Sequence, residues 1–391
     1  MIKVKTEPVK VLYFVDRMLR GGIQSLVIDW VSRFDKNKIH VDFLLLDDGK
    51  EYELEQTLKE LGCTVYKLKG IWIKTPIDFI KYKYAVKNFF KEHHDYKVVH
   101  MHSSSKNYMI LKYAKKYGIP IRIAHSHNID FQTKNPLKKL IGNLFKKPLI
   151  KYATDYFACS KIAGEWLFGK DIVESHKFRV IHNAIDYDKF KYNDDIRNEI
   201  RRKLGFNDSD IVVGHVGRFV TQKNHSFLID VFYKCYKQNN NYKLLLVGTG
   251  ELEEFIKEKV KSLGIENNVI FAGFRNDANR LFNAMDIFCF PSLFEGLGLV
   301  LVEAQANGLS CFVTEKTIPE EVQINQNFRF LPLDKEKWIE EINTADIARC
   351  NSRENIVEND YLIDNIVKKL ESFYISDNYK NMTNELPFNK K

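Results

Sequence analysis

The sequence predicts an α/β protein built from two Rossmann-like domains, each a parallel sheet covered by helices on both faces. Three observations lead there. Apolar runs of strand length alternate with helical periodicity from Val9 to Ala124, and the alternation restarts at Ile211. A polar, charged segment, Tyr187–Asp195, separates the two series. At 391 residues the chain is longer than one hydrophobic core ordinarily organises.

The first series opens with Val9–Val15 (VKVLYFV), a strand. Asp16–Gly22 follows as a loop closed by Gly21 and Gly22, and Ile23, Leu26, Val27, Trp30, Val31 and Phe34 then mark one face of a helix. A strand, a Gly-Gly turn and a helix opening let backbone approach a phosphate or sugar closely, although the pair alone is equally a structural turn. Strands are predicted at His40–Leu46, Thr64–Leu68, Lys97–Met101, Ile119–Ala124, Asp155–Cys159 and Phe178–Ile181. The helices between them are Glu51–Leu61, Ile77–His93 and Asn107–Tyr117. In parallel sheets ligands sit beyond the carboxyl ends of the strands. His100 and His102 stand at one such end, His125 and His127 at the next. Without a third ligand of clear spacing, these pairs read as hydrogen-bonding imidazoles or as filling of a polar loop, not as a metal centre.

Asn135–Ile150 is a basic amphipathic helix with Asn135 as cap and Pro136 at its first position. Leu137, Leu140, Ile141, Leu144, Phe145 and Pro148 share one face; Lys138, Lys139, Lys146 and Lys147 share the other. Such a helix, 136–147, either lies on an anionic membrane surface or packs on the core with a solvated lysine face.

The second series runs through a short helix ending at Glu199–Leu204, then Ile211–Val216 as strand and Gly217–Asn224 as loop. Phe227–Tyr236 is a helix, Tyr242–Val247 a strand, Leu252–Leu263 a helix, Val269–Ala272 a strand and Asn279–Ala284 a helix. Ile287–Phe290 and Ser310–Val313 are strands. Arg218 and Lys223, in one loop after a strand, can reach one anion, a fork donor and a point charge suited to a diphosphate. Between the last two strands lies Glu295-x7-Glu303. A helix opening near Gly296, Leu297 and Gly298 would aim free N–H groups beside Glu295. Glu303 would then sit deeper, roughly 8–10 Å further along. The bland reading makes Glu295 a first-turn charge and Glu303 a paired acid. Ile363–Tyr374 is a last helix, and 376–391 a polar tail expected to fray.

Composition narrows the classes. The net charge of +9 permits an anionic partner, but the one dense basic cluster lacks the interleaved exposed aromatics of a nucleic-acid binder. Six cysteines without CxxC spacing indicate neither zinc nor a disulfide framework, which fits a cytoplasmic protein. The charged start carries no apolar core of a signal peptide, and no run approaches the ~20 apolar residues of a membrane span.

Taken together, Gly21-Gly22, His125, Gly217-Arg218 with Lys223, and Glu295-x7-Glu303 resemble, in order and type, the family-four retaining glycosyltransferases of GT-B fold. The tract from HSHN (125–128) through ACSKIAGEWLFG (158–169) and VIHNAID (180–186) to VGRFVTQKNH (216–225) is similar to the capsular and exopolysaccharide branch. Thr314-Glu315 departs from the Ser-Asp often found there.

The resemblance implies an acceptor-side domain 1–187, to which a C-terminal helix 362–375 returns, and a nucleotide-sugar domain 188–361 facing it across a cleft. It implies a nucleotide-sugar donor, most often a UDP-hexose. Arg218 and Lys223 would hold the diphosphate and stabilise the leaving phosphate. Glu295 and the N–H groups of Gly296–Gly298 would hold the donor sugar, Glu303 the ribose, and the Phe274 backbone the base. Gly21 and Gly22 would close over the phosphates. His125, with His127 as the other register, would face the sugar. No metal or other cofactor is implied. The acceptor would be a lipid-linked saccharide met at the inner face of the cell membrane. A nucleotide-sugar epimerase of the same fold, or a protein that only binds anionic surfaces, are the other readings.

Overall fold

The computed structural model describes residues 7–19, 21–69, 76–129 and 135–376, apart from the side chains of Pro76 and Lys138. The chain divides into two compact units, Met1–Asn183 with Ile363–Lys391, and Ala184–Leu362.

Unit 1 holds seven strands: β1 (Val9–Val15), β2 (Ile39–Leu46), β3 (Val65–Leu68), β4 (Val98–His102), β5 (Ile121–Ser126), β6 (Asp155–Ala158) and β7 (Phe178–Val180). All pair in parallel, in the order β3-β2-β1-β4-β5-β6-β7. The helices needed to cross between parallel strands are α1 (Gly22–Arg33), α2 (Glu53–Glu60), α3 (Pro76–Glu92), α4 (Met109–Lys116), α5 (Pro136–Tyr152) and α6 (Lys161–Phe168). Strand alternation gives each face its own core. Leu12, Phe14, Val99 and Met101 meet Tyr82, Val86 and Phe90 of α3 and Leu149 of α5. Tyr13, His100, His102 and His125 lie on the other face, beneath Trp30 of α1 and Tyr374 of the C-terminal helix Ile363–Ile375. That last helix packs on α1, β1 and β2.

The core-packed reading of α5 needs correction on two points. The apolar residues do not all pack on the core: Leu137, Leu140, Ile141 and Leu144 are between 42% and 63% exposed, although Phe145 stacks on Phe79 of α3. Nor do the four lysines form one solvated face. Lys146 turns inward, its ammonium bonded to the Trp166 carbonyl and 4.4 Å from the Trp166 ring centre. The side chain of Lys138 lies outside those described.

Unit 2 holds β8 (Ile211–Val216), β9 (Tyr242–Val247), β10 (Val269–Gly273), β11 (Ile287–Phe290), β12 (Ser310–Thr314) and β13 (Phe328–Leu331). They too are all parallel, in the order β10-β9-β8-β11-β12-β13. β13 and the following helix Lys335–Asn343 escape the sequence pattern because the strand has four residues, one of them the exposed Arg329. Among the described residues, no helix is long and apolar enough to cross a membrane.

In both units the strand order reverses once, between β1 and β4 and between β8 and β11. Such switch points open a crevice at the carboxyl ends of the strands, because the flanking helices depart to opposite faces.

Candidate active site

The second unit builds its site at the β8/β11 switch point. The chain leaves β8 at Gly217, turns through a single 3-10 turn, Thr221–Lys223, and enters the helix His225–Gln238. β11 leads into the loop that carries Glu295. The two loops are tied together by Gln222, whose carbonyl accepts from the Leu293 N–H and whose side-chain amide donates to the Phe294 carbonyl, both at 2.8 Å.

That tie brings together two residues assigned separate tasks from the sequence. Lys223 Nζ donates to Glu295 Oε1 at 2.6 Å, with both side chains largely buried. The ammonium also lies 4.4 Å from the Phe290 ring centre. A buried ion pair of this kind holds its charge in place through geometry, at a desolvation cost. Arg218, five residues before Lys223, is exposed and has no carboxylate partner among the described residues. The site therefore offers one fixed cation already matched by an anion, and one unmatched cation.

Neighbouring backbone makes room for this. A Cβ on Gly248, at φ +134°, would lie 2.1 Å from the Gly217 carbonyl oxygen, so the loops after β8 and β9 touch backbone to backbone. Gly217 N–H donates to the Val247 carbonyl at 2.9 Å and Gly248 N–H to the Gly273 carbonyl at 2.8 Å, closing the same edge. Phe274, directly after β10, is exposed at this edge.

The Glu295–Glu303 stretch opens as expected but is buried in the opposite sense. The helix Leu299–Ala306 begins at Gly298, which stands in the left-handed region at φ 78°. Gly296, Leu297 and Gly298 form the turn before it. Glu295 is the deeper acid, only 8% exposed, and Glu303 is half-buried. Glu295 is drawn inward by Lys223 and by its own N–H, which donates to the Thr317 carbonyl at 3.1 Å.

Two histidines that the motif reading passed over support the same loops. His215 Nδ1 hydrogen-bonds the Cys289 carbonyl at 2.8 Å, joining β8 to β11, and His225 stacks on Phe219 at 4.1 Å. Burial pushes His215 well below the ordinary histidine value and His225 down to about 4, so both are neutral beside Lys223. Their signal was burial on a strand and a helix start, which carries no motif.

Unit 1 places Gly21 as the cap of α1 and Gly22 as its first residue, at the end of β1. Across the switch point lie four imidazoles in two hydrogen-bonded pairs. His100 Nε2 meets His125 Nδ1 at 3.0 Å, and His102 Nδ1 meets His127 Nε2 at 3.0 Å. His100 Nδ1 is bonded to the Tyr374 hydroxyl at 2.6 Å, which reaches Tyr13 at 2.9 Å. Burial pushes His100, His102 and His125 well below the ordinary value, and His127 down to about 4. His125 is 1% exposed and its free Nε2 is sealed from water, whereas His127, past the end of β5, is half-buried. Of the two, His127 is the one nearer the surface. The side chains of His100, His102 and His125 also lie close enough to share a metal ion. Both ring nitrogens of His100 are engaged by Tyr374 and His125, however, and among the described residues no carboxylate is hydrogen-bonded to the set.

Two parallel sheets, each with a switch-point crevice, one lined by buried imidazoles and one by the lysine–glutamate pair, are what the sequence resemblance implies. Comparison with known proteins agrees. The family described as glycosyl transferases group 1 matches residues 196–362, and glycosyltransferase family 4 matches residues 20–189. The putative glycosyltransferase EpsF of Bacillus subtilis is 32% identical over 318 residues, 80% of each chain. A galactosyltransferase of Escherichia coli, named for UDP-Gal and GlcNAc-diphosphoundecaprenol, is 29% identical over 227 residues, covering 56% of this chain and 58% of its own. The crystal structure of Anabaena HepE with UDP and glucose superposes with a TM-score of 0.71 at 19% identity, over 96% of this chain and 100% of that one. The chain belongs to the family-four type glycosyltransferases of GT-B fold, in the capsule and exopolysaccharide branch.

Proposed function

We propose that this glycosyltransferase moves a hexose from a UDP-sugar to a lipid-linked saccharide with retention of anomeric configuration. The observation that carries the reading is the Lys223–Glu295 pair at the β8/β11 switch point, with the exposed Arg218 five residues before Lys223 in the same loop. Arg218 and Lys223 take the diphosphate. Glu295 keeps its second oxygen for a sugar hydroxyl while the first holds Lys223, and the N–H groups of Gly296–Gly298 add donors. Glu303, less buried, takes the ribose, and backbone at Phe274 takes the base. Gly21, Gly22 and a histidine, His125 or the more open His127, are assigned to the donor by family resemblance. The bond from the anomeric carbon to the phosphate oxygen breaks as the acceptor hydroxyl oxygen bonds to that carbon on the same face, and the hydroxyl proton passes to the leaving phosphate. Negative charge grows on that phosphate, where fixed cations stabilise most. These cations make a metal unnecessary. HepE, crystallised with UDP and glucose, and the Escherichia coli enzyme, named for a UDP-sugar and a polyprenyl-diphosphate acceptor, support donor and acceptor class. A lipid-linked acceptor places the enzyme at the inner face of the membrane, with α5 as the element that meets it.

The test is UDP release from a panel of UDP-sugars with and without an undecaprenyl-diphosphate-linked sugar. Acceptor-dependent release with one donor is the expected outcome. Interconversion of the donor sugar without any acceptor would replace transfer by epimerisation.

A further inference from the structure

We infer that α3 and α5 together form one bilayer-inserting surface, in which α3 has an equal share. The inference rests on the proposed lipid-linked acceptor only for its purpose; its geometry stands alone.

On α3, Ile77, Ile80 and Tyr84 recur at i, i+3 and i+7 and are 54% to 65% exposed. They lie on the side opposite Tyr82, Val86, Phe89 and Phe90, which enter the core. On α5 the exposed stripe is Leu137, Leu140, Ile141 and Leu144. Both helices cover the same face of the sheet and join through Phe79 and Phe145, whose rings stack at 5.7 Å and 7°. Each stripe turns away from that shared core, so both look out on one side of the unit. Single exposed apolar residues are ordinary; seven on two touching helices are a patch that calls for an apolar environment.

The rim says which environment. Lys81, Lys83, Lys87 and Lys91 accompany the α3 stripe, and Lys147 and Lys151 accompany that of α5. The α5 sequence carries no acidic residue, and α3 carries only Asp78 and Glu92. An apolar centre with a basic rim matches acyl chains beneath anionic headgroups. A second copy of this chain would set two basic rims against each other, which opposes self-association.

The patch also lies at the functional edge. Ser105, three residues past β4, donates from its hydroxyl to the Gly142 carbonyl at 2.8 Å, so the first half of α5 sits at the carboxyl ends of the strands. Docking through it holds the edge with Gly21, Gly22 and His127 at the bilayer. Because Lys146 is turned to Trp166, insertion of apolar side chains carries the binding, and salt acts only on the rim.

The test uses the full chain and vesicles of phosphatidylcholine with phosphatidylglycerol. Ile80→Asp and Leu144→Asp should each lower vesicle partitioning about tenfold or more, and raised salt should leave most parental binding in place. Unchanged melting curves would show that both variants fold. Ile80→Asp sedimenting like the parent overturns the share given to α3, and both variants doing so overturns the surface. Parental binding that vanishes with salt overturns insertion. A parental dimer split by either variant would make a second copy the occupant and overturn the bilayer. Transfer to the lipid-linked acceptor in detergent, measured in parallel, separates the two readings. Transfer without vesicle binding sinks only the surface; vesicle binding without transfer sinks only the acceptor assignment.

Discussion

Lowering pH from 7.5 to 5.5 should destabilise both units well before any carboxylate is protonated. His100, His102, His125, His215 and His225 are at most 3% exposed, and burial holds all five below the ordinary histidine value of 6.5. The unfolded chain therefore takes up protons first. Stability is fully present above pH 6.5 and is lost as pH falls toward the folded-state values. For one such histidine the loss between pH 7.5 and 5.5 is about 1.4 kcal/mol, from an unfolded value near 6.5 and a folded value far below. Three of the five lie in unit 1, so that unit should lose about 4 kcal/mol, a large part of the 5–15 kcal/mol that holds a typical fold. For a domain of this size the melting temperature should fall by roughly 10 °C. Differential scanning calorimetry at pH 7.5, 6.5 and 5.5 measures it, with most of the fall below 6.5. A melting temperature constant within a couple of degrees would mean that these imidazoles are not held neutral in the fold.

Arg218→Ala should lower kcat/KM about 10²-fold or more, and Lys223→Ala somewhat less, as expected for loss of one preorganised donor; wild-type rates in both would remove the diphosphate assignment. Glu303→Ala should raise the donor KM with little change in kcat, whereas Glu295→Ala should lower kcat; the reverse pattern in steady-state kinetics would exchange their roles. Activity should survive EDTA, and a loss restored only by Mn²⁺ or Mg²⁺ would place a metal on the diphosphate.

The alternation of strands and helices and the Gly-Gly, Arg-x4-Lys and Glu-x7-Glu motifs were legible because each is local. The contact between Lys223 and Glu295 was not. It joins residues 72 positions apart, and only the strand order, with β8 beside β11, makes their loops neighbours. Motif spacing says nothing of strand order. Burial failed for a related reason. His125 and His127 are equivalent as letters, but His125 is inside β5 under Trp30 and His127 is past its end. For α5 the sequence left two partners open, a core or an anionic membrane surface. An apolar stripe looks the same in sequence whether it meets a core or an acyl layer; here Leu149 and Phe145 turn to the core side, while Leu137, Leu140, Ile141 and Leu144 stay exposed.

The pairing of Lys223 changes what the two cations do. Glu295 already balances its charge at 2.6 Å, and Phe290 lies against its ammonium, so Lys223 is positioned before any ligand arrives and adds little net field. Arg218 has no such partner among the described residues, and a planar fork suits two phosphate oxygens at once. In the proposed donor complex, long-range attraction for a dianionic diphosphate would therefore rest on Arg218, and fixed geometry on Lys223. A group held in place costs no reorganisation when charge shifts to the leaving phosphate, whereas a mobile one does. Hence the expected order, in which Arg218→Ala loses more in capture and Lys223→Ala loses mainly at the step where the phosphate departs.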